Sequence, residues 1–158
     1  MTGTPRVVSL VPSVTETLLA WGVTPLACTR FCEQPALRHV GGTKDPDVPA
    51  IVDLDPDLVV LCVEENRRED AEALARAGVR TAALSIDGVD DVLPGLRMLA
   101  GLVGRDPTAV GLDDAAWTTR SPGDPGLEPL GLSAFVPVWK RPWMTLSGGT
   151  YGSSLLAS

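Results

Sequence analysis

The chain has 158 residues, of which 44% are apolar, and a formal net charge of −7 from 20 acidic and 13 basic residues. A chain of this length can bury the core of one medium-sized domain. The acidic balance, without a block of basic residues, excludes a dedicated nucleic-acid binder, because such a protein needs a positive surface against the phosphates. No run of about 18 apolar residues is present, so the sequence predicts no membrane-spanning helix.

Two features of the sequence bear on its compartment. The first residues, MTGTPRVVSL, lack the charged region, the apolar region and the cleavage site of an export signal. The three cysteines cannot all pair within one chain, which also fits a reducing environment. As written, the chain is therefore expected to be cytoplasmic.

The strongest local pattern is the stretch from Arg6 to Gly22, RVVSLVPSVTETLLAWG. Its nearly continuous apolar run predicts a parallel strand buried on both faces, which Pro12 ends. Ser13 and Glu16 then form a capping box that predicts a helix start, and Gly22 fits the position after the helix end. The helix N-terminus would face the carboxyl end of the sheet, where open α/β sheets bind ligands. Ordinary strand-to-helix connection chemistry explains this turn equally well.

Strand and helix patterns alternate over residues 5–105, which predicts an α/β fold with a parallel, doubly wound, Rossmann-like sheet and flanking helices. Three further strands are predicted, at residues 26–29, 58–63 and 79–86. Three further helices are predicted: residues 48–54, capped by Asp47 or Asp45; residues 67–77, with Ala71, Leu74 and Ala75 inward; and residues 87–104, capped by Asp87. Residues 30–46 have no clean period and are predicted to form a long loop.

The chain is predicted to divide into three segments. Residues 5–105 form the N-terminal α/β lobe. Residues 106–131 hold a short helix, which Asp106 caps and which runs to Trp117, followed by a Pro/Gly-rich linker. Residues 132–158 show a strand pattern, a turn and a helix start, and are predicted to begin a second α/β lobe.

Four segments of the sequence form an ordered set: RVVSLVPSVTETLLAWGV, VGGTKDPDVPAIVDLDPDLVVL, EENRREDAEALARAGV and PVWKRPWMTLSGGTYGSSLLA. Over residues 6–105 and 134–157 this set resembles the helical-backbone metal receptor family of substrate-binding proteins. Members of that family bind cobalamin, haem or iron–siderophores and deliver them to ABC importers. The resemblance implies two α/β lobes joined by one long helix, with the ligand between them, in a periplasmic or lipid-anchored protein. Compared with that pattern, the linking helix of this chain is predicted to be short and its second lobe to be truncated.

The predicted ligand-binding residues fall into two groups. The first group follows the carboxyl ends of the strands, where open sheets bind ligands, and comprises Pro12, Ser13, Arg30, Phe31, Lys44, Glu64, Glu65, Asn66 and Arg67. The second group is aromatic and comprises Trp139, Trp143 and Tyr151. Aromatic faces beside Lys140 and Arg141 suit a flat macrocycle or a catecholate. The alternatives are that Ser13 only caps, that the charged side chains only solvate loops, and that the aromatic side chains form a small core.

A metal site built by the protein and an enzymatic activity both find little support. Cys28, Cys32 and His39 offer three ligands, whereas zinc prefers four in a tetrahedron, and thiols in apolar strands are commonly inert. The single histidine removes most catalytic triads and metal hydrolases. The sequence therefore predicts no enzyme, no resident metal and no cofactor, with cobalamin, haem or a ferric siderophore only as a ligand.

Two functions remain open from the sequence. The first is capture of a cobalamin or iron chelate for an ABC importer. The second is a truncated or cytoplasmic α/β module that does not transport, and that is structural or binds only as a homodimer. The resemblance implies an exposed acidic residue on each lobe that meets arginines of the permease, and Glu69, or Asp70 with a one-residue shift, is the candidate on the first lobe. No Asp or Glu follows Leu130, so the chain as written is expected not to dock stably.

Overall fold

The main feature of the fold is a five-stranded sheet in a computed structural model that describes residues 3–114 and 131–157. The strands of this sheet are β1 (Val7–Ser9), β2 (Ala27–Cys28), β3 (Arg38–His39), β4 (Leu58–Cys62) and β5 (Thr81–Leu84). The helices of the same region are α1 (Pro12–Ala20), α2 (Val48–Val52), α3 (Arg68–Arg76) and α4 (Val92–Leu102). Within the two described stretches, no helix is long and apolar enough to cross a bilayer.

The sheet has the order β3-β2-β1-β4-β5, and every neighbouring pair in it is parallel. Val8 of β1 pairs with Ala27 on one side and with Val59 on the other. This order places β1 at the centre and confirms the predicted doubly wound sheet. Parallel neighbours need crossover connections, and the helices between the strands supply them.

The third strand corrects the sequence prediction, which assigned residues 30–46 to one long loop. Arg38 and His39 pair in parallel with Ala27 and Cys28. Both residues of β3 are exposed and polar, so the strand carries no apolar pattern that a sequence could display. The edge strand exists because the main chain of β2 offers it hydrogen-bonding partners.

Two apolar layers cover the two faces of the sheet. On one face, Leu18 of α1 and Leu99 of α4 pack with Val7 and Val60. On the other face, the apolar side chains of α2, α3 and the strands form a second cluster, which comprises Val8, Leu10, Ala27, Val40, Ile51, Val59, Leu61 and Leu74. Successive strand residues alternate between these layers, which is why β1 and β4 are apolar at almost every position.

The ends of α1 agree with the sequence at the C-terminus and differ from it at the N-terminus. The N-cap is Val11, no side chain caps the helix, and Pro12 occupies its first turn, so the predicted capping box of Ser13 is wrong. Proline is preorganised for the first helical position, and Ser13 is therefore already inside the helix. At the other end Gly22 has φ of 69°, and the N–H groups of Gly22 and Val23 donate to Leu19 and Leu18. This Schellman motif confirms Gly22 as the helix stop.

The other helix caps were predicted with mixed success. Asp47 caps α2, because its carboxylate accepts a hydrogen bond from the Ala50 N–H at 3.0 Å. Before α4 the structure has a short 3-10 turn at Val89–Asp91, and the Asp91 carboxylate accepts from the N–H groups of Asp87 and Gly88. The main-chain N–H of Asp87 thus donates to the side chain of Asp91, which is the N-cap residue of α4, and the predicted capping role of Asp87 is wrong. Ala75 of α3 is exposed, so its predicted inward position is also wrong, whereas Leu74 is buried.

The predicted helix from Asp106 to Trp117 is wrong over its described part. Asp106 does accept hydrogen bonds from the N–H groups of Thr108 and Ala109, as a cap would. The helical segment, however, is a single 3-10 turn at Thr108–Val110. Gly111 follows in the left-handed region with φ of 79°, which ends the helix after one turn. Residues 115–117 and most of the predicted linker lie outside the described residues.

The C-terminal stretch forms a small hairpin and a helix. Strands β6 (Pro137–Trp139) and β7 (Met144–Thr145) pair antiparallel, and α5 (Tyr151–Ala157) follows. The turn predicted at residues 140–143 joins the two strands. The Val89 N–H donates to Ser154 Oγ at 3.0 Å, so α5 contacts the loop that follows β5. The division of the chain at residues 105 and 131 stays a prediction.

Candidate functional site

The carboxyl edge of the sheet gathers the loops that follow β1, β2, β3 and β4. Pro12, Arg30, Lys44 and Glu64 each lie just after one of these strands. Lys44 Nζ donates a hydrogen bond to the main-chain carbonyl of Glu64 at 2.9 Å, which joins the loops after β3 and β4. The structure thus places the first group of predicted residues along one edge, and this is the edge at which open α/β sheets bind ligands.

The start of α1 presents main-chain donors to this edge. Val11 is extended, with φ of −136° and ψ of 124°, and Pro12 has no N–H to donate. The N–H groups of Ser13 and Val14 lie in the first turn, where helices have no internal acceptors. Ser13 is exposed and Pro12 is half-buried. This turn can therefore receive an oxygen atom of a ligand at the positive end of the helix.

Arg30 and Phe31 form a charged and aromatic pair after β2. The Arg30 guanidinium lies 4.8 Å from the centre of the Phe31 ring, and its Nη2 contacts Asp45 Oδ1 at 3.0 Å. Phe31 is 54% exposed, so about half of its surface is open to solvent. Gly42 allows this arrangement, since a Cβ there would stand 2.8 Å from Arg30 Nη2 and would also collide with Asp45 Oδ1. The pair offers a cation and a flat apolar surface at the same place.

The loop after β4 carries two neighbouring carboxylates, Glu64 and Glu65. Burial raises the pKa of the half-buried Glu65 above its ordinary value of 4.5. The charge of Lys44 lowers that pKa, and repulsion from Glu64 raises it further. Burial therefore disfavours the charged form of Glu65 more than the neighbouring lysine favours it.

Asn66 holds three parts of this edge together through its side-chain amide. Its Oδ1 accepts from the Cys62 N–H at 2.8 Å, and its Nδ2 donates to the carbonyls of Leu10 at 3.2 Å and Thr43 at 2.9 Å. The residue is 8% exposed. Both amide hydrogens and the carbonyl oxygen are thus used inside the protein. Asn66 fixes the ends of β1 and β4 and the loop after β3, whereas Arg67 beside it is exposed.

A buried group of hydroxyls and thiols lies at the ends of β1 and β2. Thr15 Oγ1 donates to Ser9 Oγ at 2.9 Å and contacts Cys32 Sγ at 3.3 Å. Thr29 Oγ1 contacts the same sulfur at 3.2 Å. Ser9, Thr15 and Thr29 are the only buried hydroxyl residues among those described. No sequence motif predicted this group, although a polar residue inside an apolar run is the feature that could have shown Ser9.

Of the three residues considered for a metal site, the two cysteines are buried and the histidine is exposed. Cys28 and Cys32 are buried, and burial together with the charge and hydrogen bonding of Cys32 raises the pKa of Cys28 to about 12. His39 is exposed, and its Nε2 lies 3.1 Å from the Gln34 carbonyl. Within residues 3–114 and 131–157, no group of three His, Cys, Asp or Glu side chains is arranged to hold a metal ion.

The second predicted group lies on the exposed hairpin and the helix after it. Trp139 and Trp143 are each 63% exposed, and Tyr151 is 40% exposed. Lys140 Nζ lies 5.7 Å from the centre of the Trp143 ring. Both tryptophans line an open groove of about 460 Å³ together with Pro137, Val138 and Lys140. These side chains are surface groups in the described structure and do not form the small core that was the alternative.

The two candidate docking residues differ in exposure. Glu69 is exposed in the first turn of α3. Asp70 is half-buried, and its Oδ2 is a buried atom without a hydrogen-bond partner among the described residues. Of the two, Glu69 has the carboxylate that a second protein could reach.

Comparison with known proteins assigns the chain to a family. Residues 7–110, more than half of the 158 residues, match the family model described as periplasmic binding protein. The chain belongs to the periplasmic binding protein family. The family assignment confirms the resemblance seen in the sequence. Members of this family are periplasmic, and the comparisons give the expectation of a cytoplasmic chain no support.

Individual relatives match part of their own length. The vitamin B12-binding protein of Salmonella choleraesuis (strain SC-B67) is 27% identical over 100 residues, which are 61% of this chain and 38% of that protein. The chain therefore spans about two fifths of the length of this curated relative. No comparison tests the individual site residues, which stay predictions.

Solved structures share the fold. The periplasmic vitamin B12 binding protein BtuF of Vibrio cholerae aligns with a TM-score of 0.60 at 22% identity, over 72% of this chain and 46% of that chain. The periplasmic heme binding protein HutB of Vibrio cholerae aligns with a TM-score of 0.60 at 21% identity, over 70% and 46%. An ABC transporter substrate-binding protein from Listeria monocytogenes EGD-e aligns with a TM-score of 0.67 at 14% identity, over 97% and 62%.

Substitution of Asn66 tests whether its amide holds the site edge. Asn66→Ala leaves one main-chain N–H and two carbonyls without this partner, so we expect the free energy of unfolding to fall by about 2–4 kcal/mol in urea denaturation. Arg67→Ala, the exposed neighbour, should change it by no more than about 0.5 kcal/mol. Equal effects of the two substitutions would contradict the role of Asn66.

The raised pKa of Glu65 predicts a pH-dependent gain in stability. Because the folded state disfavours the charged carboxylate, Glu65→Gln should raise the melting temperature by about 1–3 °C at neutral pH. The gain should shrink as the pH falls through the folded-state pKa and vanish below the ordinary value of 4.5, where Glu65 is neutral in both states. Melting curves at a series of pH values measure this, with the exposed Glu16→Gln as control. A gain that grows toward acid pH would refute it.

Proposed function

We propose that the chain binds a metal chelate, either cobalamin, haem or a ferric siderophore, as the substrate-binding component of an ABC importer. The observation that carries the proposal is the meeting of four strand-end loops at the carboxyl edge of a periplasmic binding protein sheet. This edge offers the Arg30–Phe31 pair, Lys44 and the donors at the start of α1. Charged and aromatic groups placed on a rigid sheet are the components of a small-molecule site.

The chemistry of the edge suits a large, flat or anionic chelate. The exposed face of Phe31 can pack against a planar ring, and the Arg30 guanidinium above it can pair with a carboxylate or an iron-bound oxygen. Trp139, Trp143 and Lys140 repeat this combination on the hairpin. An aromatic face gains apolar contact with a macrocycle, while a neighbouring cation fixes the orientation of its polar substituents.

The proposed action is capture without chemical change of the ligand. The family and its structural neighbours are substrate-binding proteins. The one histidine of the chain lies on the edge strand β3, and its Nε2 contacts the main-chain carbonyl of Gln34. We therefore assign the edge residues to binding and orientation only.

Glu69 is proposed as the contact with the importer. Its carboxylate is exposed at the start of α3, which begins just after the loop that carries Glu64 and Glu65. A negative side chain at this helix end is stabilised by the helix dipole and remains available to a cationic partner. A single exposed ion pair contributes about 0–1 kcal/mol, so this contact would give orientation more than affinity.

The hairpin prediction concerns Trp143. If a chelate binds, Trp143→Ala should weaken binding by about 1–3 kcal/mol, because an aromatic side chain that becomes covered by its partner commonly contributes that much. Cyanocobalamin, haemin and a ferric hydroxamate are titrated separately and followed by the absorbance of the chelate. Phe135→Ala, another exposed aromatic substitution, is the control. Unchanged affinity would remove the hairpin from the site, and no binding of any chelate would contradict the proposed function itself.

The docking prediction concerns Glu69. Capture of a permease by this chain is expected to be weak, because no Asp or Glu follows Leu130 to supply a second contact. We expect Glu69→Lys to reduce this weak capture of the purified permease of a cobalamin or iron-chelate importer by about a further 3- to 5-fold, as expected for the loss of one exposed ion pair. Asp53→Lys makes the same change of charge at the C-terminal end of α2, near the opposite edge of the sheet, and should leave capture unchanged. Equal loss from both variants would indicate a nonspecific effect of net charge.

A further inference from the structure

Two buried cysteines lie four residues apart where β2 ends. Cys28 is the last residue of β2 and is 0% exposed, and Cys32 is 1% exposed. The chain turns back between them, since the Cys32 N–H donates to the Thr29 carbonyl at 3.1 Å. Thr29 Oγ1 also contacts Cys32 Sγ at 3.2 Å. The turn thus carries Cys32 back toward the strand that holds Cys28.

A second set of contacts locates both thiols on the same face of the sheet. Ser9 of β1 is the parallel register partner of Cys28, and such partners lie side by side on one face. Ser9 Oγ accepts a hydrogen bond from Thr15 Oγ1 at 2.9 Å, and Thr15 Oγ1 contacts Cys32 Sγ at 3.3 Å. Cys28 and Cys32 therefore border one small buried cluster. The charge and hydrogen bonding of Cys32, after burial itself, raise the pKa of Cys28, as neighbouring thiols do.

We propose that Cys28 and Cys32 form a disulfide when the chain folds under oxidising conditions, and that this bond closes the loop that carries Arg30 and Phe31. The inference rests on the proposed function in one respect: a substrate-binding protein that serves an importer from the periplasm folds under oxidising conditions. All three cysteines are free thiols in the structure, and Cys62, which is half-buried in β4, is the one that the proposed bond leaves unpaired.

The reaction needs a disulfide as oxidant, and glutathione disulfide represents that class. One cysteine thiolate attacks the glutathione disulfide, which forms a mixed disulfide and expels one glutathione thiolate. The second cysteine thiolate attacks the protein sulfur of the mixed disulfide and expels the second glutathione. The protein loses two electrons and two protons, and the two glutathione thiols carry them. Because buried thiols react slowly, the exchange belongs to folding, before the cluster closes.

Peptide mapping of the refolded chain tests the bond directly. The denatured, reduced 158-residue chain is refolded with glutathione disulfide and its free thiols are then blocked under denaturing conditions. Trypsin cuts after Arg30 and so separates Cys28, in residues 7–30, from Cys32, in residues 31–38. We expect these two peptides to remain joined until they are reduced, while the peptide of residues 45–67 carries a blocked Cys62. The oxidised protein should also melt about 4–8 °C above the reduced one.

Two variants make the result decisive. Cys62→Ser should keep the joined peptides and the rise in melting temperature, whereas Cys32→Ser should lose both. Separate peptides with three blocked thiols in the refolded wild-type chain, or a link from residues 7–30 to residues 45–67, would overturn the inference. The mapping uses no ligand, so a failure of this bond is distinguishable from a failure of chelate binding, which the titrations measure.

Discussion

The sheet depends on the complete burial of β1 between two parallel neighbours. Val7, Val8 and Ser9 are all at most 1% exposed, and β1 pairs with β2 on one side and β4 on the other. A strand in this position must be apolar on both faces, and Ser9 is tolerated because Thr15 and the Val11 carbonyl satisfy its hydroxyl. Both apolar layers and the loops of the candidate site are arranged around this one short strand.

Much of the fold could be predicted because its determinants are local. The apolar runs of β1 and β4, Asp47 as a cap and Gly22 as a stop each act within a few residues of the structure they specify. The misjudged elements depend on distant or competing contacts. Strand β3 exists through pairing with β2, and the helix after Asp106 stops because Gly111 enters the left-handed region, a choice that a cap residue alone does not reveal.

The candidate site was predictable in position but not in the roles of its residues. Parallel topology requires the loops after the strands to meet at one edge, so Arg30, Lys44 and Glu64 could be grouped from the sequence. The sequence could not show that the Asn66 amide reaches Leu10, which is 56 positions away, nor that Thr15 contacts Cys32. Such contacts arise only when separate elements pack. These contacts show which residues support the edge from inside the protein and which residues remain exposed on it.

The contacts that position these loops are made largely to main-chain atoms. Asn66 binds the main chain of Cys62, Leu10 and Thr43, and Lys44 binds the carbonyl of Glu64. A main-chain group is present whatever side chain the position carries. The residues at positions 43 and 64 can therefore be exchanged without removing these hydrogen bonds. Evolution can change the ligand preference of this edge by altering its side chains one at a time, while the framework that holds the loops is inherited unchanged.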